Sequence, residues 1–312
     1  MALRLTVQRA AWESHVRSTA LAVRGLVPVV KGNGYGFGRA TLHAVAQTLS
    51  DTVCVGTMHE LDGIPDGLTA IVLTPATEPP RQRDATLTVG SEHDVAALAG
   101  WSGRVMVKLQ SSMRRYGTPP ADLHRVIASA DRAGLDVVGY ALHLPLAGSD
   151  TDRLAEIETW LAAIDARPLS VSHLSPDSFA ALQRRHPDRQ FTLRLGTSLW
   201  HGDKSYLQLH ADVLAEHAVR AGDRAGYHLT PVPGDGHIVM VTAGSAHGVA
   251  ANADGLSPFH YARMRLPMLE PPHMHTSMVF VPAGTTCPRA GDRVDVQRPL
   301  INTTIDEIEW EL

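Results

Sequence analysis

Eight short β-branched runs along the first two thirds of the chain constrain its fold more than any other feature. They read LVPVVK (26–31), TVCVGT (52–57), TAIVLT (69–74), ATLTVG (85–90), RVMVKL (104–109), VVGYALHL (137–144), LSVSHL (169–174) and FTLRLG (191–196), each bounded by turn residues. Residues of this kind fit a pleated, buried surface. Helical spacing fills the intervals, clear in ATLHAVAQTLS, SEHDVAALAG, PADLHRVIASADRAG, DTDRLAEIETWLAAIDA and DSFAALQRRH, and weak after the second and third runs. Alternation of this type predicts a parallel sheet, and eight units predict a closed (β/α)8 TIM-type barrel, with an open doubly wound sheet as the runner-up. Past residue 203 the helical segments fade and strand-like stretches such as SYLQLHADVLAEHAV, GHIVMVTAG, HTSMVFVPAG and DRVDVQRP follow one another between Gly/Pro turns. The expected class is therefore α/β, with a barrel over 11–203 and a smaller antiparallel β domain over 204–312, to which residues 1–10 are added.

Charge narrows the partners. With 28 basic and 32 acidic residues the net charge is -4, which gives no reason to expect nucleic acid or an anionic membrane. A small molecule is the expected partner. No apolar run reaches the ~20 residues of a membrane span, and the two cysteines, Cys54 and Cys287, have no zinc or disulfide spacing. A cytoplasmic location is expected, and no metal. The 17 histidines are scattered through polar segments, apart from His273 and His275, whose alternation would place them on one face of a strand.

Active sites of such barrels gather at the carboxyl ends of the strands. Reading off those ends gives Lys31, Lys108, His143, Ser175 and Arg194, a set suited to an anionic, conjugated ligand. The first of them opens KGNGYGFG, which fits neither glycine-rich phosphate motif: Arg39 stands where the dinucleotide fingerprint needs its third glycine, and Lys31 precedes the glycines instead of following them.

PVVKGNGYGFG resembles the cofactor-lysine motif of the alanine racemases, VVKANAYGHG, and VKLQSSMRRYG is similar to their K-x-D-T-G-M-x-R-x-G segment through Lys108, Met113, Arg115 and Gly117. RLGTSLWHG resembles their R-x-G-x-x-x-Y-G segment, and is closer to the R-I-G-T-x-x-F-G of single-barrel pyridoxal phosphate homeostasis proteins, whose serine segment SHLSPDSFAAL also resembles. The resemblance implies pyridoxal phosphate as cofactor, an amino acid as substrate and a head-to-tail homodimer. It implies that Lys31 forms the Schiff base and acts as the first base. Tyr35, Ser175 and the amides of Gly196 and Thr197 would hold the phosphate, Arg194 the pyridine nitrogen and Arg115 the phenolic oxygen. Lys108 would stand nearby, carbamylated as in some relatives, and His143 under the ring or near Arg194.

The resemblance fails where the family places its second base, a tyrosine in G-Y-x-D-G: the corresponding stretch is TAGSAHG, with Ser245 at the tyrosine position and His247 at the aspartate position. Similarly MHTSMVFV puts His275 where the family has aspartate. Histidine titrates near ~6.5 and is the commonest general acid/base. Two expectations compete: a racemase whose second base is His247 or His275, and a catalytically silent cofactor-binding protein serving homeostasis or regulation.

Overall fold

In the computed structural model, which describes residues 2–81, 84–251 and 256–312, the chain forms two compact units. One is Ser14–Gly202, and the other joins the residues up to Glu13 with Asp203–Leu312. The chain opens with β1 (Leu3–Gln8) and α1 (Arg9–Leu21), and eight further strands follow in the first-named unit. These are β2 (Leu26–Pro28), β3 (Thr52–Val55), β4 (Thr69–Val72), β5 (Leu87–Val89), β6 (Arg104–Leu109), β7 (Asp136–Leu142), β8 (Leu169–Ser172) and β9 (Phe191–Leu195). Each coincides with one of the eight β-branched runs, β7 starting one residue ahead of its own.

All eight are parallel to their neighbours. Six pair in the order β2-β9-β8-β7-β6-β5 and two pair as β3-β4. Two bridges, Val29 with Cys54 and Ile71 with Thr86, join the two groups into a ring. Their hydrogen bonds, from Val30 N–H to the Cys54 carbonyl at 2.8 Å and from Val72 N–H to the Thr86 carbonyl at 2.9 Å, are as short as those of a regular ladder. The barrel is closed, as the count of runs predicts. Val53, Val55, Leu87, Val89, Val105, Val107, Val171 and Leu193 are wholly buried at its wall.

Helices α2 (Arg39–Ala46), α3 (Glu92–Ala97), α4 (Leu123–Arg132), α5 (Asp150–Leu161), α6 (Pro176–Arg185) and the single turn α7 (Thr197–Trp200) follow β2, β5, β6, β7, β8 and β9. Their starts are chemically marked. Ser91 and Ser149 accept the amides of Asp94 and Asp152, the latter as a full capping box, and Ser175 accepts the amide of Ser178 with Pro176 in the first turn. The two weak intervals carry one 3-10 turn, Met58–Glu60, and, among the described residues, no helix between β4 and β5. The second of these contains PATEPP, whose prolines deny a helix its amide donors.

In the other unit the long strand Leu207–Val219 is the organiser, pairing antiparallel with β1, Gly236–Thr242 and Arg293–Val296, while Gly236–Thr242 also pairs with Thr276–Pro282. Leu3, Leu5 and Val7 alternate inward from β1, and Trp12 meets Trp310 edge-on at 5.3 Å between ring centroids. The stretch ARMRLPML yields only a two-residue strand, Met264–Arg265, before Pro267 interrupts the ladder. Four strands escape the sequence reading: Arg224–Ala225, Thr230–Pro231, Phe259–Tyr261 and Glu307–Glu311, the last parallel to β1. EIEWE is a poor strand by propensity. Its acids are held by Arg4 and by Arg293, whose two terminal nitrogens reach the two Glu309 oxygens at 2.8 Å. No helix among the described residues is long and apolar enough to cross a membrane.

Candidate active site

Lys31 leaves the carboxyl end of β2 into a 3-10 turn, Gly34–Gly36, centred on Tyr35. Tyr35 has φ +56, a left-handed conformation that an aromatic residue adopts only when its surroundings impose it. The surroundings are visible. Gly34, also left-handed, packs so tightly that an added Cβ would lie 2.5 Å from the Arg39 nitrogen. The buried His201 donates Nε2–H to the Tyr35 carbonyl at 2.7 Å and meets the Tyr35 ring edge-on at 5.9 Å. Tyr35 is buried, which pushes its phenol pKa up, and its hydroxyl rests on Gly196: a Cβ there would stand 2.2 Å from it.

Gly196 and Thr197 begin the short turn α7 directly after β9, where the first amides of a helical turn have no partner inside it. Ser175 caps α6 after β8. Its amide and its hydroxyl both donate to Asp150, at 3.0 and 2.5 Å, and these bonds with Ser178 and Arg153 hold the Asp150 carboxyl down at about 2 against the opposing effect of burial.

A group of cations shares the same end of the barrel. Arg194, on β9 and only 4% exposed, donates Nη2–H to the Leu142 carbonyl at 2.8 Å, while its Nη1 has no partner among the described residues. Lys108, at the end of β6 and 3% exposed, has its pKa lowered to about 7 by burial first and then by Arg194 and Arg115. Lys31 is shifted down as well, by partial desolvation ahead of Arg115, with Glu60 opposing. Arg115 is exposed, donates Nη2–H to the Tyr116 hydroxyl at 2.7 Å and stacks 4.5 Å from that ring. Lys108 Nζ lies 5.5 Å from the same ring. His143 follows β7, its Nδ1 hydrogen-bonded to the Ser172 hydroxyl at 2.9 Å, and Ser172 also accepts the Leu144 amide. Burial, then Arg194 and Lys108, depress its pKa to about 2, so the ring stays neutral.

Ser245 and His247 lie in the other unit, in the 3-10 turn Ser245–His247. The His247 ring is committed at both nitrogens: Nδ1 accepts the Gly244 amide at 3.0 Å and Nε2 faces Asp306 at 3.1 Å. His275 is exposed, its ring 6.0 Å edge-on from His247. His273 and His275 do not share a strand face, because both precede the strand Thr276–Pro282. His273 pairs instead with Glu270 at 2.5 Å and stacks on Tyr227 at 4.2 Å.

The structure thus brings Lys31, Lys108, Arg115, His143 and Arg194 into one electrostatic cluster, and Tyr35 against Gly196. Several residues of this neighbourhood escape the sequence reading. His173 has φ +59, packs 4.9 Å from the His143 ring and has its pKa depressed to about 4 by burial and Arg194. Tyr116, His201 and Glu60 act through contacts with neighbours, and only the position of His173 at a strand end could have flagged it.

The family described as alanine racemase, N-terminal domain, matches residues 7–203. An alanine racemase of Cutibacterium acnes is 27% identical over 161 residues, covering 45% of this chain; the chain spans 43% of that protein's length. The fold is similar to that of alanine racemase from Bartonella henselae, solved with covalently bound pyridoxal phosphate, at TM-score 0.72 and 18% identity over 96% of this chain and 91% of that one. It is similar also to alanine racemase from Bacillus anthracis with bound L-Ala-P, at TM-score 0.73 and 18% identity over 94% and 85% of the two chains. With a family match over most of its length, joined to a closed barrel and an accompanying β unit, the chain belongs to the alanine racemase N-terminal domain family.

Proposed function

We propose that this chain is a pyridoxal phosphate-dependent amino-acid racemase of the alanine racemase type that uses Lys31 as one base and a histidine as the other. The observation that carries the reading is Arg194, a buried guanidinium with one nitrogen bonded to the Leu142 carbonyl and Nη1 without a partner among the described residues. A buried charged donor in that state calls for a ligand atom.

The residues present fit pyridoxal phosphate. Tyr35, Gly196, Thr197 and Ser175 would hold the phosphate, Ser175 sharing its donors with Asp150. Arg194 and Arg115 would meet the ring nitrogen and the phenolic oxygen, with Lys108 and His143 beside them. When bound, the cofactor supplies electron withdrawal from the substrate α-carbon. Arg194 keeps its own proton throughout, which disfavours a proton on the ring nitrogen and limits that withdrawal. His143, held neutral, adds no positive charge.

Lys31 would hold the cofactor through Nζ and, when its amine is free, would take or return the α-proton on one face. Its lowered pKa leaves more of the amine unprotonated near neutral pH. The opposite face needs a second base, and the β unit offers His275, exposed and with no ring hydrogen bond among the described residues. His247, engaged at both nitrogens, is placed to hold the turn that carries it and to flank His275. The working form is a homodimer in which each protomer's β unit completes its partner's site. A second reading, a cofactor-binding protein without turnover, is favoured by that engagement of His247 and by Ser245 at the tyrosine position.

The deciding experiment is solvent α-deuterium exchange by the cofactor-loaded protein over a panel of L- and D-amino acids, with the visible spectrum recorded alongside. Exchange with inversion, lost in His275→Ala, supports the racemase. A cofactor spectrum that disappears in Lys31→Ala, without exchange in any amino acid, leaves the silent binder.

A further inference from the structure

Glu60 closes the 3-10 turn after β3 and belongs to none of the motifs discussed above. Its carboxylate is bound twice to backbone: Oε1 accepts the Gly32 amide at 2.8 Å and Oε2 accepts the Gly56 amide at 2.6 Å. Gly32 is the residue after Lys31, and Gly56 is the residue after β3. Gly56 is wedged between the two side chains, since an added Cβ would stand 3.0 Å from Glu60 Oε2 and 3.3 Å from the Lys31 Cβ. The carboxylate therefore ties the lysine's exit from β2 to the end of the adjacent strand, and does so beside the lysine's stem.

We propose that Glu60 is the positioning residue of Lys31: it fixes the backbone that aims the amine into the barrel mouth and supplies the anion that keeps this amine basic among its cationic neighbours. The proposal rests on the reading of Lys31 as the cofactor lysine. Lys31 faces Arg115 and Arg194 as cations, the titratable Lys108 and His173, Cys54 as a buried thiol and Glu60; burial first and then the two arginines lower its proton affinity, and Glu60 raises it. Glu60 acts in the same direction on Tyr35 in that turn and on His43 in α2. A lysine serving as a base in proton exchange loses strength as its pKa falls. Glu60 opposes that fall without itself reaching the substrate.

The test is the pH dependence of acetic anhydride labelling of Lys31, read by peptide mass spectrometry on the full-length chain freed of carbonyl cofactor. Glu60→Gln should move the Lys31 midpoint down by about half a unit, less than a directly paired opposite charge produces, because solvent screens the pair. Glu60→Asp, which keeps the charge, should restore most of it. Gly56→Ala keeps both side chains and wedges them apart, so it should move the midpoint in the same direction even if Glu60→Gln does not fold. An unchanged Lys31 midpoint in both Glu60→Gln and Gly56→Ala overturns the proposal and leaves Glu60 a backbone clamp. Titration with pyridoxal phosphate is the separate arm. A shifted midpoint in a protein that never takes up the cofactor supports Glu60 as the partner of Lys31 and sinks the cofactor assignment alone.

Discussion

The barrel mouth and the polar networks around Glu270, His247 and Arg4 in the β unit treat their polar groups in opposite ways. In the β unit, Glu270, with a side chain only 1% exposed, accepts the amides of Tyr227 and His228 at 2.9 and 3.1 Å and faces His273 Nε2 at 2.5 Å. His247 uses both ring nitrogens, and Arg4 meets Asp212, Glu307 and Glu309. At the barrel mouth, Arg194 is left with a partnerless nitrogen, Lys108 is pressed toward neutrality and His143 is held neutral. A buried charge without a partner is expensive, and a closed network recovers that penalty internally. These networks of the β unit spend their polar groups on architecture. The mouth keeps its own for a ligand.

The largest effect should come from opening the closed network. Glu270→Gln replaces one acceptor oxygen by a donor facing backbone amides, which strands a buried donor and should lower stability by about 2–3 kcal/mol. Chemical denaturation measures it, and the cofactor spectrum should survive in the molecules that remain folded. Gly196→Ala tests the other side. Its Cβ would fall 2.2 Å from the Tyr35 hydroxyl, so the tyrosine must withdraw from the turn that opens α7. Affinity for pyridoxal phosphate should drop about tenfold, or ~1.4 kcal/mol, in a fluorescence titration, with little change in stability. A Gly196→Ala protein as destabilised as Glu270→Gln would erase the distinction between the two regions.

The barrel was legible because its signal is repeated: eight runs, each a short buried strand, and five intervals with helical spacing. Strand ends then gave Lys31, Lys108, His143 and Arg194 with no reference to packing. The residues that hold those side chains were not legible. Glu60 works through two backbone amides, His201 through the Tyr35 carbonyl, and such bonds leave no periodicity or composition behind. The strand Glu307–Glu311 escaped for a related reason, since ion pairs with Arg4 and Arg293 override the poor propensity of alternating glutamates. Local chemistry predicts a side chain's capacity; only the fold decides its partners.

The subtlest prediction concerns acid. His143 and His173 have folded pKa values near 2 and 4, both depressed, first by burial and then by Arg194. An unfolded histidine titrates near ~6.5, so between that value and the folded ones the unfolded chain binds more protons. The stability these neutral rings contribute is whole above ~6.5 and is lost as pH falls toward ~4 and below. The melting temperature of the cofactor-free chain should therefore decline over that window, and His143→Asn, which keeps a polar partner for Ser172 without a titrating ring, should flatten the decline more than His173→Asn does. Arg194 is the shared cause, so Arg194→Gln should flatten both contributions together. A decline untouched by all three substitutions would place the acid sensitivity outside the barrel mouth, and the cationic cluster would then cease to be the feature that separates it from the β unit.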